Sequence, residues 1–509
     1  MQDPVPGNSD IRIVLFLPLV LIQGLFLTQI LATLHIYGSN QQLKSRLATI
    51  TDAGYLAIPN PNILDSLNTF WPSFWGGLFM TLSIGAGLSL FGLIAAMLWR
   101  VLLKRNKWIM ALLLLVWLGS VAMMNVNGLN AMVSLYFLMI PPSVFGAALK
   151  WMPSDMGKPF PQAWFVPLLS MAALAICGFS QLQRQDLFLD IRDRLLLSNS
   201  FGTTINDFYY QYTRYPSAAI ESFNQRLLRT CNLDGVGSPS LKKSLERILI
   251  NHDYLPINDG QQVDLFIEQR ADGLLFKHGR SITFNVSPVE LTQHPSRVLD
   301  AFSAHTDRNR YFRWFGFLSL LIAFPLVLYI FVHALFAVVL CFFMGLRAAL
   351  IGASIICFVL GVSLLIPLHL YRDRVSDGSL ERLLRSGRWQ DRTAVLKTIY
   401  RTKAEIAAFD AYKGLLGSRF IAERYWLMKA MGVSESPETF GHLVAFLKDP
   451  HPNVKAAAYD ALGNRKNPQA VKAILDDIKA LNAWYPQWYA YKALRELGWN
   501  QRTRSDSRP

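Results

Sequence analysis

The stretch "DPHPNVKAAAYDALG", Asp449 to Gly463, decides how the last third of this chain folds. A turn with two prolines leads into a helix of small and apolar residues, and a glycine follows. Proline is tolerated at the first helical position, and glycine can take the left-handed conformation that closes a helix. A repeat must return these signals in register. Gly432 is followed four and five residues later by Ser436 and Pro437, and Gly463 by Asn467 and Pro468, a period of 31 residues. Residues one, four and five before each glycine are Met431, Met428 and Leu427, then Leu462, Tyr459 and Ala458. "YAYKALRELGW" supplies Leu497, Leu494 and Ala493 before Gly498. Between these helices, Leu443, Val444 and Leu447 correspond to Ile474, Leu475 and Ile478, so each helix pair buries one stripe against its neighbour.

On these residues the region resembles HEAT repeats, in particular the short variety similar to phycobilisome-lyase HEAT-like repeats. The resemblance covers about residues 418–499, and "SLERLLRSGRWQDRTAVLKTIYRT", Ser379 to Thr402, fits an earlier, degenerate pair. It implies an α-solenoid that binds protein. No catalytic residue of the lyase relatives can be matched here, and a repeat architecture does not name what it binds.

The rest of the chain is of another kind. Of 509 residues 52% are apolar and 17% charged, against about 25% charged in soluble proteins, which points to the membrane. A spanning helix needs ~20 apolar residues to cross a ~30 Å hydrocarbon layer. Seven segments qualify, approximately Ile13–Tyr37, Phe74–Leu103, Trp108–Val126, Ala131–Leu149, Ala163–Ser180, Trp314–Met344 and Ala348–Tyr371. The paired Pro141 and Pro142 predict a kink or a re-entrant turn in the fourth. The expected organisation is a membrane region (1–181), a soluble α+β module (182–313), two further spans (314–371) and a HEAT-like domain (372–509). The fold class is therefore mainly α: a multi-pass bundle, a small α+β insert and a C-terminal solenoid.

Lys and Arg in short loops favour the cytoplasmic side. Arg100, Lys104, Arg105 and Lys107 follow the second segment, Lys150 and Lys158 follow the fourth, and "NVNGLN" between the third and fourth has no basic residue. Seven crossings then put the N-terminus inside, and the module and the repeats on the outer face. Most of the formal charge of +15 lies in residues 371–509, with twenty-four Lys and Arg against fifteen Asp and Glu. Lys448, Lys455, Arg465, Lys466 and Lys472 are the candidate contacts for a protein partner. The bilayer is the other partner, and without an RNA- or DNA-binding motif nucleic acid is not expected.

Within the module, "AAIESFNQRLLRTC" and "LKKSLERILINHDYL" carry helical periodicity, whereas "VDLFIEQ", "GLLFKHG" and "SITFNV" read as an antiparallel meander. Phosphate-loop, zinc-helix, nucleophile-elbow and CxxC patterns are absent from the sequence, so no catalytic residue and no cofactor is predicted. The alternative is a redox subunit holding b-type haem or quinone. Helix-borne histidines ligate haem, and His35 and His369 lie at similar depth near the ends of their spans. His333 has no evident mate. No apolar segment carries Asp or Glu in its interior, which disfavours a proton-coupled transporter. These features point to an anchored scaffold or docking subunit in a membrane complex.

Overall fold

The computed structural model describes residues 8–153, 165–182, 187–257, 263–279, 282–370 and 380–501. The chain is mainly helical with one small mixed sheet, and it divides into two compact units. The first comprises Met1–Gly38, Phe70–Ile191 and Arg308–Leu370; the second comprises Ser39–Thr69, Arg192–Asp307 and Tyr371–Pro509.

Apolar helices make the first unit. Among the described residues, six helices are long and apolar enough to cross a bilayer: Ile11–Asp52, Phe70–Val101, Lys107–Met124, Ala131–Trp151, Arg310–Cys341 and Leu346–Ile366. The fifth predicted segment forms the helix Phe165–Leu182, whose apolar part is shorter than the other six. The first segment runs longer than predicted. Its helix, Asn8–Asp52, has 45 residues and so extends about 68 Å, roughly twice the hydrocarbon thickness. Hydropathy falls after Tyr37, and the helix carries on through a polar sequence in which Gln41, Gln42, Leu43, Lys44, Arg46 and Leu47 are good helix formers.

The proline pair does not interrupt its helix, so the expected re-entrant turn is absent. Ala131–Trp151 is one continuous helix. Pro141 has no N–H to give Phe137, four residues back, and this carbonyl accepts the Trp117 Nε1 proton at 2.7 Å instead. A neighbouring helix thus supplies the bond that the proline removes, which is how apolar bundles tolerate proline. Two glutamines on Ile11–Asp52 are satisfied likewise. Gln29 Nε2 donates to Phe74 O at 2.8 Å and its Oε1 accepts from Thr81, while Gln23 Nε2 donates to Ser143 Oγ at 2.9 Å.

In the second unit the module holds a five-stranded sheet: β1 (Arg229–Gly235), β2 (Tyr254–Pro256), β3 (Leu265–Arg270), β4 (Gly273–His278) and β5 (Ile282–Val286). The spatial order is β2-β1-β3-β4-β5. β3, β4 and β5 form the predicted antiparallel meander, with Ile267 opposite Phe276 and Phe276 opposite Phe284. β1 pairs in parallel with both β2 and β3, and the helix Pro239–Asn251 makes the crossover from β1 to β2. This corrects the helical reading of "AAIESFNQRLLRTC", whose helix ends at Ile220 and whose last residues open β1. A central strand is covered on both faces, so its side chains do not alternate, and periodicity cannot tell it from a short buried helix. Cys231, Leu245, Leu265, Phe276 and Phe302 meet in the core beneath the sheet. Asp264 anchors the start of β3, accepting from Thr230 N at 3.0 Å and from Arg226 Nη1 at 2.7 Å.

Candidate docking surface on the repeats

The repeats stack their longer helices in one row, Trp389–Thr402, Ile421–Gly432, Pro452–Asn464 and Trp484–Glu496. The shorter helices Pro437–Ala445 and Gln469–Ile478 form a second row. Met428, Met431, Tyr459, Leu462, Leu443, Leu447, Ile474 and Ile478 are all buried, as the 31-residue register requires. Two of the three glycines act differently from expectation. Gly432 and Gly463 are inside their helices, and the left-handed positions fall on Lys403, Lys466 and Gly498. What the glycines provide is close approach: a Cβ on Gly432 would stand 2.8 Å from Ala461 Cβ, and one on Gly463 3.1 Å from Ala493 Cα. Ion pairs brace the stack from one repeat to the next, Arg392 to Glu423 at 2.6 Å, Arg424 to Asp449 at 2.8 Å and Lys429 to Asp460 at 2.5 Å.

The opening stretch works as an N-terminal cap. Asp449 Oδ1 accepts from His451 N at 2.8 Å, and His451 Nδ1 accepts from Asn453 N at 3.3 Å. This bond needs an unprotonated Nδ1. Burial holds the His451 pKa below its ordinary value, while Asp207, whose Oδ1 is 3.1 Å from Nε2, opposes that shift.

The long row grips other parts of its own unit. Asp193 is buried and accepts from Trp426 Nε1 at 2.7 Å, from Arg192 Nη2 at 2.7 Å and from Lys397 Nζ at 3.3 Å. The Arg192 guanidinium lies 3.8 Å from the centre of the Tyr425 ring. Further on, Tyr210 packs on Tyr485 at 4.4 Å and Tyr215 on Trp484 at 5.5 Å, so the aromatic clusters "INDFYYQYTRYP" and "WYPQWYAYKAL" meet each other. Asn60 closes the last pair. Its Nδ2 donates to Ile478 O at 3.0 Å and Leu481 O at 3.1 Å, carbonyls that a helix end leaves unpaired, and its N–H donates to Gln487 Oε1 at 2.9 Å. Asp253 joins the seam through Tyr491 Oη and Arg495 Nε, the latter at 3.1 Å, and burial raises its pKa.

The short row and the turns carry the exposed charges. Lys448, Lys466 and Lys472 are exposed and Lys455 is half-buried. Arg465 is not available as a free contact: its Nη1 donates to Thr439 Oγ1 at 2.6 Å and its Nη2 to Ser436 O at 2.9 Å, so it braces the start of Pro437–Ala445. Among the described residues of the repeats, no large hydrophobic side chain is exposed. The groups that sequence reasoning missed are Asp193, Lys397 and Trp426. The one available signal was a charged cluster, "DIRDR", set in the apolar run "LFLDIRDRLLL".

Of the histidines, His35 is buried, with its ring 5.9 Å from that of Tyr136. The side chain of His369 lies outside the described residues, so no pairing with His35 is described. His333 is buried and hydrogen-bonded between helices, with Nε2 3.1 Å from Ser354 Oγ and 3.3 Å from Leu350 O. No cluster of three or more His, Cys, Asp or Glu that could hold a metal occurs among the described residues.

Stacked helix pairs with recurring small-residue contacts define an α-solenoid, an architecture of protein-interaction surfaces. The family model for HEAT repeats matches residues 411–498, and the C-terminal region of this chain is a HEAT-repeat domain. Comparison with curated proteins and with solved structures found no match to the chain.

Proposed function

We propose that this protein is a multi-pass membrane scaffold that holds a HEAT-repeat domain at the bilayer and docks a protein partner on it. The observation that carries this reading is the make-up of the second unit. Residues 39–69, 192–307 and 371–509 belong to one compact body, although apolar helices separate them in sequence. If those helices cross a bilayer, all three segments emerge on the same side. An even number of crossings must then separate residue 69 from residue 192, and again residue 307 from residue 371. The helix Phe165–Leu182 therefore counts as a crossing beside Phe70–Val101, Lys107–Met124 and Ala131–Trp151, giving seven in all. The basic loops at residues 100–107 and 150–158 and Arg347 then share the opposite side, which the charge rule makes cytoplasmic, and the repeats lie on the outer face.

The docking surface on this reading is the short row with its turns. The long row is occupied from within the unit, and Lys448, Lys466 and Lys472 remain accessible. A contact without exposed apolar anchors depends on charge, and weakens as salt rises. Photo-crosslinking groups at positions 466 and 472 in native membranes test it. A discrete protein adduct that fades between about 0.1 and 0.5 M salt is expected, and adducts to lipid alone would refute it. Reporter fusions after residues 54, 104 and 501 check the arrangement: 54 and 501 should agree, and 104 should oppose them.

A further inference from the structure

Five helices of the first unit enclose a cavity of about 450 Å³, within the range of about 300–1,000 Å³ of small-molecule sites. Leu17, Leu93, Met97, Met171 and Leu350 are representative of its walls, and no lining residue is charged. Ile94 and Leu168, about half exposed, also belong to the lining, so the cavity reaches the apolar outer surface of the helices. Its polar groups are the neighbouring rings of Tyr329 and His333, stacked at 5.7 Å.

Hydrogen bonding fixes what these two rings offer. Ser354 Oγ spends its one proton on Leu350 O, at 2.8 Å. Both neighbours of His333 Nε2, Ser354 Oγ and Leu350 O, can then only accept, so Nε2 carries the ring proton and Nδ1 of the neutral ring is an acceptor. Tyr329 Oη donates to Pro167 O at 3.0 Å and the side chains of Ser170 and Ser354 also bond to it, so His333 Nδ1 is the acceptor this end offers a ligand. An apolar chamber whose polar end presents an acceptor and no charge suits a ligand with a long apolar body and a neutral O–H donor. Phosphate and carboxylate heads would meet neither cation nor free donor. We infer that this cavity binds a neutral lipid bearing a hydroxyl head, its O–H directed to His333 Nδ1 beside the Tyr329 ring and its chain running between Leu17, Leu93 and Met171. This rests on the membrane reading for its supply of lipid; the pairing of a donor head with an acceptor ring does not depend on which side the repeats occupy.

The hydroxyl has two natural sources, a glyceride or prenyl alcohol and a prenyl quinol. The probe is a diazirine-bearing hexadecanol, photolysed with the detergent-purified full chain and mapped by peptide mass spectrometry, beside its O-methyl ether. Labelling at residues 93–97 and 168–171 is expected, at least about tenfold stronger for the alcohol than for the ether. His333→Phe should bring the two probes closer together. Leu93→Trp, which fills the chamber without touching the polar end, should lower labelling by both. Competition by monoolein or by decylubiquinol supports the site and assigns its source. Equal labelling by alcohol and ether in the unsubstituted protein, or labelling spread over all the apolar helices, overturns the inference, and neither result bears on docking at the repeats.

Discussion

Replacing Asp193 by alanine should open the grip of the long row on its own unit. Asp193 is 1% exposed and Lys397 3%, and the carboxylate also receives Trp426 Nε1–H and the Arg192 fork. Its removal leaves two cations with little water to replace it. Breaking a buried pair from one side costs about 3–5 kcal/mol, because the remaining charge is uncompensated. Arg192 keeps its contact with the Tyr425 ring and Lys397 stays 5.1 Å over the Trp426 ring, so the loss is shared between the two cations. Hydrogen exchange followed by mass spectrometry reads this locally, and the amides of Ile421–Gly432 should lose protection by about 10²- to 10³-fold. Adding Lys397→Met removes the stranded ammonium, and since apolar replacement of a whole buried pair is often neutral, the double variant should recover at least tenfold. Trp426→Phe deletes one bond to a charged acceptor and should cost about 1.5–3 kcal/mol. Asp476→Ala, on the exposed side of Gln469–Ile478, is the control and should stay within about 0.5 kcal/mol. Protection unchanged in Asp193→Ala, or a double variant no better than the single, would refute the reasoning.

Three further changes probe the stack. Gly432→Ala places a methyl 2.8 Å from Ala461 Cβ and should destabilise the repeats by about 1–3 kcal/mol, measured by urea unfolding; no loss would mean that the helices part freely there. Asn60→Ala strips the end of Gln469–Ile478 of a shared cap and should cost roughly 1–3 kcal/mol, visible as faster exchange in residues 469–481. His451 has its folded pKa below the unfolded value of about 6.5, so the stability it contributes is present above that pH and is lost as pH falls through the lowered value. His451→Asn keeps a capping acceptor that does not titrate, and the thermal midpoint should then fall less between pH 7 and 5 than in the unsubstituted protein. Parallel midpoints would show that the ring is not the titrating group.

The parts of the fold legible in the sequence are those whose signal is local and periodic. The 31-residue register placed a buried stripe in each central repeat, with Leu427, Met428 and Met431 matching Ala458, Tyr459 and Leu462, because a helix facing a copy of itself needs the same stripe each time. Gly498 takes the left-handed angle expected of it, whereas Gly432 and Gly463 were found for the wrong reason. Their spacing marked a boundary, and both boundary and close approach select the residue without a Cβ, so only the backbone angle separates the two roles. β1 was missed because burial on both faces erases alternation. The continuity of Ala131–Trp151 depends on Trp117, which no reading confined to that helix can include. The Asp193 cluster joins residues more than 200 positions apart, and a single sequence carries no signal for such a pairing.

Two features of the HEAT domain bear together on how it would work. Its long row, the broadest surface that such a stack offers, is already filled by residues 192–215 of the same unit, and among the described residues its remaining surface shows no large apolar side chain. Hot spots of tight interfaces are buried aromatic and arginine anchors, and here the aromatics face inward and Arg465 is committed to Thr439 and Ser436. On the proposed reading such a surface would bind through steering and many weak contacts, with low affinity in free solution. Confinement changes that balance. A partner held in or at the same bilayer meets the repeats at a raised effective concentration, which multiplies a weak affinity without any new contact. On the proposed reading the apolar helices and the polar repeat surface therefore form one device, and the repeats separated from their helices should bind the same partner with the same salt dependence but far lower apparent affinity.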